Sequence, residues 1–344
     1  MNKILQSDCL NILKSLNLDS LRNSSILLTG SNGLLGQYLV HLIFLANKNN
    51  KLNCKIYCAS LHEPNRSIKR LLADKKIIPI KLDLSKPFTI PYKIDYIFHA
   101  ACYAQPSKFI NDPLSTVNLN VNATAILLEL AKQNKARFIF FSSAEIYGDI
   151  PPKLLSVSET YNGNCSTIGA RAIYRESKRL GETLCSVYKK EYNVKVYVVR
   201  ISHVYGPGIS VKDERVLGDF IRKALIEKKI KLLDEGKAIK TFGYIADVIR
   251  MIMLVMLNGK DMIYNVGGVD SISIRELAEE VGKYCHVPVI VPKKKSKLKH
   301  IGNDPVFVKL DLSKFKKEFH SFSFTPFSVG IARNIQWNRE EFKI

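Results

Sequence analysis

The chain has 344 residues, of which 46% are hydrophobic and 24% charged, with a formal net charge of +21. That balance suits one large or two modest globular domains. It argues against a membrane protein, because no apolar run reaches the roughly 18 residues a spanning helix needs. The seven cysteines (Cys9, Cys54, Cys58, Cys102, Cys165, Cys185, Cys285) are scattered, so they read as reduced, mostly buried thiols with no disulfide framework and no metal site. The positive charge would suit a phosphorylated substrate or a nucleic acid. Only 14 of the 52 basic residues are arginine, however, and the lysines run along the whole chain with one local cluster, "VPKKKSKLKH" (291–300). A solvated lysine bias is the expectation, with no nucleic-acid partner.

In chain order, "MNKILQSDCLNILKSLNLDS" lacks the continuous apolar core and the small-residue cleavage site of a secretory signal. It reads as a short amphipathic helix leading a cytoplasmic chain. From residue 25 onward, short β-rich runs alternate with helical periods: "SSILLTG" (24–30), "KIYCAS" (55–60), "IIPIKLD" (77–83), "DYIFHAA" (95–101), "RFIFFSS" (137–143), "VKVYVVRI" (194–201) and "MIYNVGG" (262–268). Helical stretches such as 34–47, 115–134 and 174–191 lie between them. The first run is apolar without alternation, as a strand covered on both faces should be. Together they predict a Rossmann-type, doubly wound parallel α/β sheet. Residues 205–241 and 269–344 are less regular and show no obvious sheet of their own. They predict a smaller, mostly helical substrate domain, leaving 1–204 and 242–268 as the dinucleotide-binding domain.

"ILLTGSNGLLGQYLV" places Gly30, Gly33 and Gly36 between the first strand and a helix. Gly30 permits a tight turn, Gly33 lets a pyrophosphate approach the backbone, and Gly36 lets the helix pack closely on the strand. A nicotinamide dinucleotide is the expected cofactor. NAD is favoured over NADP only mildly, because the second strand ends at Ser60 where NAD readers carry an acid. Glu63 is near, but so are Arg66, Lys69 and Arg70, and Asp83 closes the third strand within reach of an adenine.

"AIYRESKR" (172–179) sets Tyr174 four residues before Lys178, on one face of a helix. "FIFFSSAEIYG" (138–148) ends a strand with Ser142, Ser143 and Glu145, and ligands of doubly wound sheets bind at the carboxyl ends of strands. A fixed ammonium and a positive nicotinamide ring favour the phenolate over the free phenol, which titrates near 10. Tyr174 would then take a hydroxyl proton while the carbon below gives hydride to the cofactor. Lys178 would also hold the nicotinamide ribose, and Ser143 would orient the substrate hydroxyl.

With "TGSNGLLG", "FHAACYAQPSKFINDPLSTVNLNVNAT", "SSAEIYG", "YRESK" and "VVRISHVYGPG", the chain resembles the extended short-chain dehydrogenases/reductases of the nucleotide-sugar epimerase/dehydratase group over nearly its whole length. "SETYNGNCSTIGARAIYRESKRLGET" and "DERVLGDFI" make it most similar to the UDP-glucuronate decarboxylase branch. The resemblance implies a Ser143–Tyr174–Lys178 triad with Glu145 as a further acid/base. It implies a cofactor site of Gly30, Ser31, Asn32, Gly33, Leu34, Leu35, Gly36, Asp83, Leu84, Ala100, Ala101, Asn120, Tyr174, Lys178, Ile201 and His203. Ser143, Ala144, Glu145, Tyr174, His203, Arg215 and Lys240 would meet a nucleotide-diphosphate sugar. The helices at 115–134 and 174–191 would form a four-helix homodimer interface.

Three positions depart from the pattern. Ala144 stands where dehydratases have an Asp and decarboxylases a Ser. Lys240 stands where members have an Arg, keeping the charge but losing the bidentate fork. His203 replaces an Asn. The expected activity is therefore C4 oxidation of a nucleotide-linked sugar, completed as decarboxylation of a uronate, as C4 epimerisation or as net redox. The competing expectation is a catalytically silent dehydrogenase-like scaffold binding RNA or protein through its basic surface.

Overall fold

The computed structural model describes residues 1–151, 154, 156–209, 213, 215–292 and 307–343; most of the 291–300 lysine cluster lies outside them. The β-branched and aromatic runs form seven strands: β1 (Ser25–Thr29), β2 (Lys55–Ser60), β3 (Ile77–Lys81), β4 (Tyr96–His99), β5 (Arg137–Ser143), β6 (Val196–Ile201) and β10 (Ile263–Val266). They pair in parallel in the order β3-β2-β1-β4-β5-β6-β10. The strand order reverses between β1 and β4, and the crevice at the carboxyl ends there is where doubly wound sheets bind ligands.

The helices are α1 (Lys3–Lys14), α2 (Leu34–Asn50), α3 (Arg66–Lys69), α4 (Pro106–Asn111), α5 (Pro113–Val117), α6 (Ala123–Asn134), α7 (Ala172–Tyr192), α8 (Val216–Arg222), α9 (Ile245–Asn258), α10 (Ile274–Cys285), α11 (Ser313–Glu318) and α12 (Phe327–Phe342). One apolar core lies between the sheet and α1, α2 and α9; a second, with Leu127, Phe138, Phe140 and Cys185, lies under α6 and α7. None of the described helices is long and apolar enough to cross a membrane.

The later segments carry small sheets of their own, which the lack of a sustained strand pattern concealed. β9 (Ile239–Tyr244) pairs with β7 (His203–Tyr205), β11 (Ser271–Ser273) and β13 (Phe307–Val308), and β8 (Ile230–Lys231) pairs with β12 (Val289–Ile290). Apart from β9, these strands have two or three residues, too few for periodicity to register.

The leading helix is clasped to the rest of the chain. α1 starts at Asn2, whose side chain accepts from the Ile4 and Leu5 amides. The buried Asp8 accepts from the Tyr38 phenol on α2 at 2.9 Å and from the Tyr244 phenol at 2.7 Å, and pairs with Arg333 of α12 at 2.6 Å. One carboxylate thus fixes α1, the cofactor-side helix, the end of β9 and the last helix together.

Candidate functional site

The glycine loop follows β1. Gly30 has φ +70°, and a Cβ there would lie 2.8 Å from the Ala101 backbone nitrogen, so the turn runs against the chain leaving β4. The Gly33 amide closes the turn onto the Gly30 carbonyl at 2.9 Å. A Cβ on Gly36 would collide with that same carbonyl. Gly33 starts α2 without any side-chain cap, so the first helical amides, Leu34, Leu35 and Gly36, keep donors for an anion. Asn32 bridges to the β2 end, its Nδ2 donating to Ser60 Oγ at 2.9 Å and to the Glu63 carbonyl at 2.9 Å, while Ser31 is buried. Asp83 accepts from Ser85 Oγ at 2.6 Å, a bond that holds its carboxyl below the ordinary range, and Leu84 beside it is buried. These residues fit a dinucleotide cofactor, with backbone amides at the phosphates and open backbone where a side chain would intrude.

Two placements differ from the reading of the sequence. Arg70 points its charge at Glu341 of α12, at 3.8 Å, and lines a cleft with Met1, His41 and Trp337. Asn120 is wholly buried in a π-helical turn (Asn118–Asn122), and its Nδ2 donates to Ser177 Oγ at 3.0 Å. Its side chain thereby braces α7.

Ser143 ends β5 opposite Ile201 of β6, and its Oγ accepts from the Glu145 amide at 3.2 Å. α7 brings Tyr174 and Lys178 to the same edge. The Phe109 ring of α4 stacks on Tyr174 at 4.7 Å and 18°. Lys178 is 2% exposed, donates to the Phe141 carbonyl at 2.6 Å and sits 4.7 Å from the Phe140 ring centre. The field at Tyr174 includes Ser143, Glu145 and the Cys102 thiol, which also contacts Lys178.

The protonation of the pair differs from the sequence expectation. Burial pushes the Tyr174 phenol well above its ordinary value, and a bond with Ser143 only partly opposes this. Burial likewise pulls Lys178 down. Removing both groups from water penalises their charged forms more than one cation at this distance compensates. In the protein alone, then, burial opposes the charged form of each.

Glu145 does not stand free as an acid/base. Its carboxylate is held by Arg171 at the N-cap of α7 and, at 3.1 Å, by Nε of Arg175 one turn into it, both under 10% exposed, and Arg175 Nη1 also lies 3.9 Å from the exposed Asp149 carboxylate. Arg175 Nη2 is buried and has no hydrogen-bond partner among the described residues. The signal for this cluster was present and missed: α7 has no acid in its first turn and begins with two arginines, the wrong sign for a helix N-terminus. Such a start needs an external anion.

The remaining candidates lie on the later segments. Ala144 is buried beside Glu145. The His203 ring rests on Phe242 at 5.7 Å. Lys240, on β9, is only 3% exposed and so is no solvated surface charge. Arg215 is engaged within its own segment by Asp213 at 2.7 Å. Arg200 is a structural anchor: it grips Glu182 of α7 at 2.7 Å and the Tyr147 phenol at 3.1 Å.

Comparison with known proteins identifies the family and the fold. The model of the "NAD dependent epimerase/dehydratase family" matches residues 26–267. UDP-glucuronic acid decarboxylase 6 of Arabidopsis thaliana is 30% identical over 295 residues, 86% of this chain and 83% of that protein. UDP-glucuronic acid decarboxylase 1 of Xenopus tropicalis is 28% identical over 318 residues, 92% and 73% of the two chains. Among solved structures, UDP-glucuronic acid 4-epimerase from Bacillus cereus, in complex with UDP-glucuronic acid and NAD, superposes with a TM-score of 0.77 at 24% identity, covering 92% of this chain and 99% of that one. DesIV, a dTDP-glucose 4,6-dehydratase from Streptomyces venezuelae, gives a TM-score of 0.76 at 22% identity, covering 93% and 98%. At those identities the two structures speak to the fold, while the family match covers the cofactor loop, Ser143, Tyr174 and Lys178. The chain belongs to the NAD-dependent epimerase/dehydratase family and is an enzyme of that family.

Proposed function

We propose that this enzyme oxidises C4 of a UDP-linked uronic acid and then releases carbon dioxide from C5. The observation that carries the redox step is the convergence of Ser143, Tyr174 and Lys178 at one strand end, with Tyr174 stacked on Phe109 and Lys178 tied to the Phe141 carbonyl. Bound NAD supplies the hydride acceptor and, in its oxidised form, a positive charge in the site that favours the Tyr174 phenolate. Tyr174 takes the C4 hydroxyl proton, Ser143 orients that hydroxyl, and Lys178 offsets the charge left on the phenol. The anionic sugar is supported by the Glu145 cluster, in which two buried guanidinium groups face one half-buried carboxylate. Asp149 lies 3.9 Å from Arg175 Nη1, and the Arg175 Nη2 donor is left for a further anion. Oxidation at C4 makes the C5 carboxylate a β-keto acid, which loses carbon dioxide readily.

A second outcome, C4 epimerisation of the same uronate, is favoured by one observation. Both oxygens of Glu145 are engaged by arginines instead of being turned to the carbon left after decarboxylation, and a guanidinium on the substrate carboxylate stabilises it against loss. The scaffold reading is not favoured, because a chain relieved of chemistry has no need to bury Tyr174 and Lys178 around one strand end. In this reading 205–241 and 269–344 cover the sugar nucleotide, with Lys240 and Arg215 as its basic contacts. A homodimer through α6 and α7 is supported by the exposed Leu180, Val187 and Tyr192 on α7. Seven free thiols accord with the cytoplasm.

The test is mass spectrometry of the products from UDP-glucuronate, UDP-glucose and UDP-N-acetylglucosamine with NAD. The proposal expects loss of carbon dioxide from UDP-glucuronate alone, falling about 10³-fold in Tyr174→Phe. An isomer of unchanged mass would establish epimerisation, and turnover confined to a neutral sugar would overturn the uronate.

A further inference from the structure

The adenosine end of the cofactor site lacks the fixed carboxylate that selects NAD. In this fold the ribose 2′-position is read at the carboxyl end of β2, where a carboxylate takes the 2′-hydroxyl and repels a 2′-phosphate. Here β2 ends in Ser60, whose side chain is a hydroxyl held by Asn32 at 2.9 Å. On the neighbouring strand, the residue paired with Ser60 is Lys81. A small cavity lies between these strand ends, lined among others by Ser31, Ser60, His62, Glu63 and Lys81.

The only carboxylate lining it is Glu63, and its charge is already taken by Lys81 at 3.6 Å, both side chains being exposed at 68% and 71%. An exposed pair of this kind is worth little, so either partner reorients cheaply. Nothing fixed therefore repels a phosphate, while one ammonium and one hydroxyl stand ready to receive it.

We propose that this subsite accepts a 2′-phosphorylated adenosine, so that the enzyme binds NADP as well as NAD, with Lys81 as the residue that makes the difference. Lys81 acts on binding alone, because it lies on β3, at the edge of the sheet away from the strand and helix that carry Ser143, Tyr174 and Lys178. The inference concerns the cofactor and stands whether or not the sugar proves to be a uronate.

The experiment is isothermal titration of protein stripped of nucleotide, with NAD and NADP measured separately and no sugar present. The proposal expects an NADP Kd within tenfold of the NAD value. It expects Lys81→Glu to weaken NADP at least tenfold, while NAD stays within threefold and so reports a folded site. Ser60→Asp should shift preference towards NAD in the same assay. NADP binding more than tenfold weaker than NAD in the unaltered protein would overturn the proposal, and so would a smaller loss than tenfold in Lys81→Glu.

Discussion

Two arginine–carboxylate clusters are buried along α7, and they differ in how fully their donors are used. In the first, Glu182 faces Arg200 with Nε at 3.1 Å and Nη2 at 2.7 Å, Ser142 donates to the same carboxylate at 2.5 Å, and Arg200 Nη1 reaches the Tyr147 phenol and the Glu159 carbonyl. Every nitrogen of that guanidinium has a partner. In the second, Glu145 is shared by Arg171 and Arg175, Arg175 Nη1 lies 3.9 Å from the exposed Asp149 carboxylate, and Arg175 Nη2 has no hydrogen-bond partner among the described residues. A closed cluster ties β5, β6 and α7 together, whereas an open one at the strand end beside Tyr174 is prepared for something the chain does not itself provide. Buried charge is costly until it is paired, so the unfinished cluster marks the site and the finished one marks the frame.

The difference can be broken at its strongest point first. Glu182→Gln leaves the Arg200 charge buried with nothing to offset it, and unfolding by urea should show a loss of about 3–5 kcal/mol. A loss under about 1 kcal/mol would mean that the closed cluster does not hold the frame. Arg175→Leu removes the open donor while Glu145 keeps Arg171, so stability should change by less than about 1 kcal/mol. The effect should appear instead in KM for UDP-glucuronate, raised about tenfold, roughly 1.4 kcal/mol, with UDP-glucose unaffected. Equal effects on both sugars would remove the carboxylate from the argument.

The smallest effect at neutral pH concerns His99, closed by neutral partners alone: Thr29 Oγ1 at 2.8 Å and the Leu119 carbonyl at 3.1 Å. Burial, with the nearby Lys178 charge, lowers its pKa to about 3, against about 6.5 in the unfolded chain. Below pH 6.5 the unfolded state binds a proton that the folded state refuses. Stability contributed by the neutral ring is therefore present above 6.5 and lost as pH falls towards 3, by about 1.4 kcal/mol per unit. His41, lowered to about 4 by burial, adds to the same limb. Urea unfolding between pH 6.5 and 4.5 should lose about one proton's worth of slope in His99→Gln; an unchanged slope would place the titration elsewhere.

Much of the molecule was legible before folding. All seven strands of the main sheet fall within the runs expected of them, because unbroken apolar segments such as "SILLT" have no other way to satisfy their backbones inside a doubly wound core. The glycine loop was equally plain, since Gly30 and Gly36 each sit where any side chain would strike backbone. Tyr174 and Lys178 were visible as neighbours on one helical face, a relation fixed by four residues of spacing.

What the spacing did not contain was burial. It predicted a phenol drawn down by Lys178 together with a nicotinamide ring, and in the protein alone burial puts the phenol up, because removal from water depends on Phe109, Phe140 and strands distant in sequence. Glu145 read as an acid waiting for work until α7 folded Arg171 and Arg175 onto it across 26 and 30 residues. Lys81 read as one lysine among 38 until β3 set it opposite Ser60. Local pattern is written in neighbouring residues, so the sequence by itself determined the strands, the turn and the pair. Charge balance and solvation belong to whatever the chain brings alongside, and only the tertiary structure decided those.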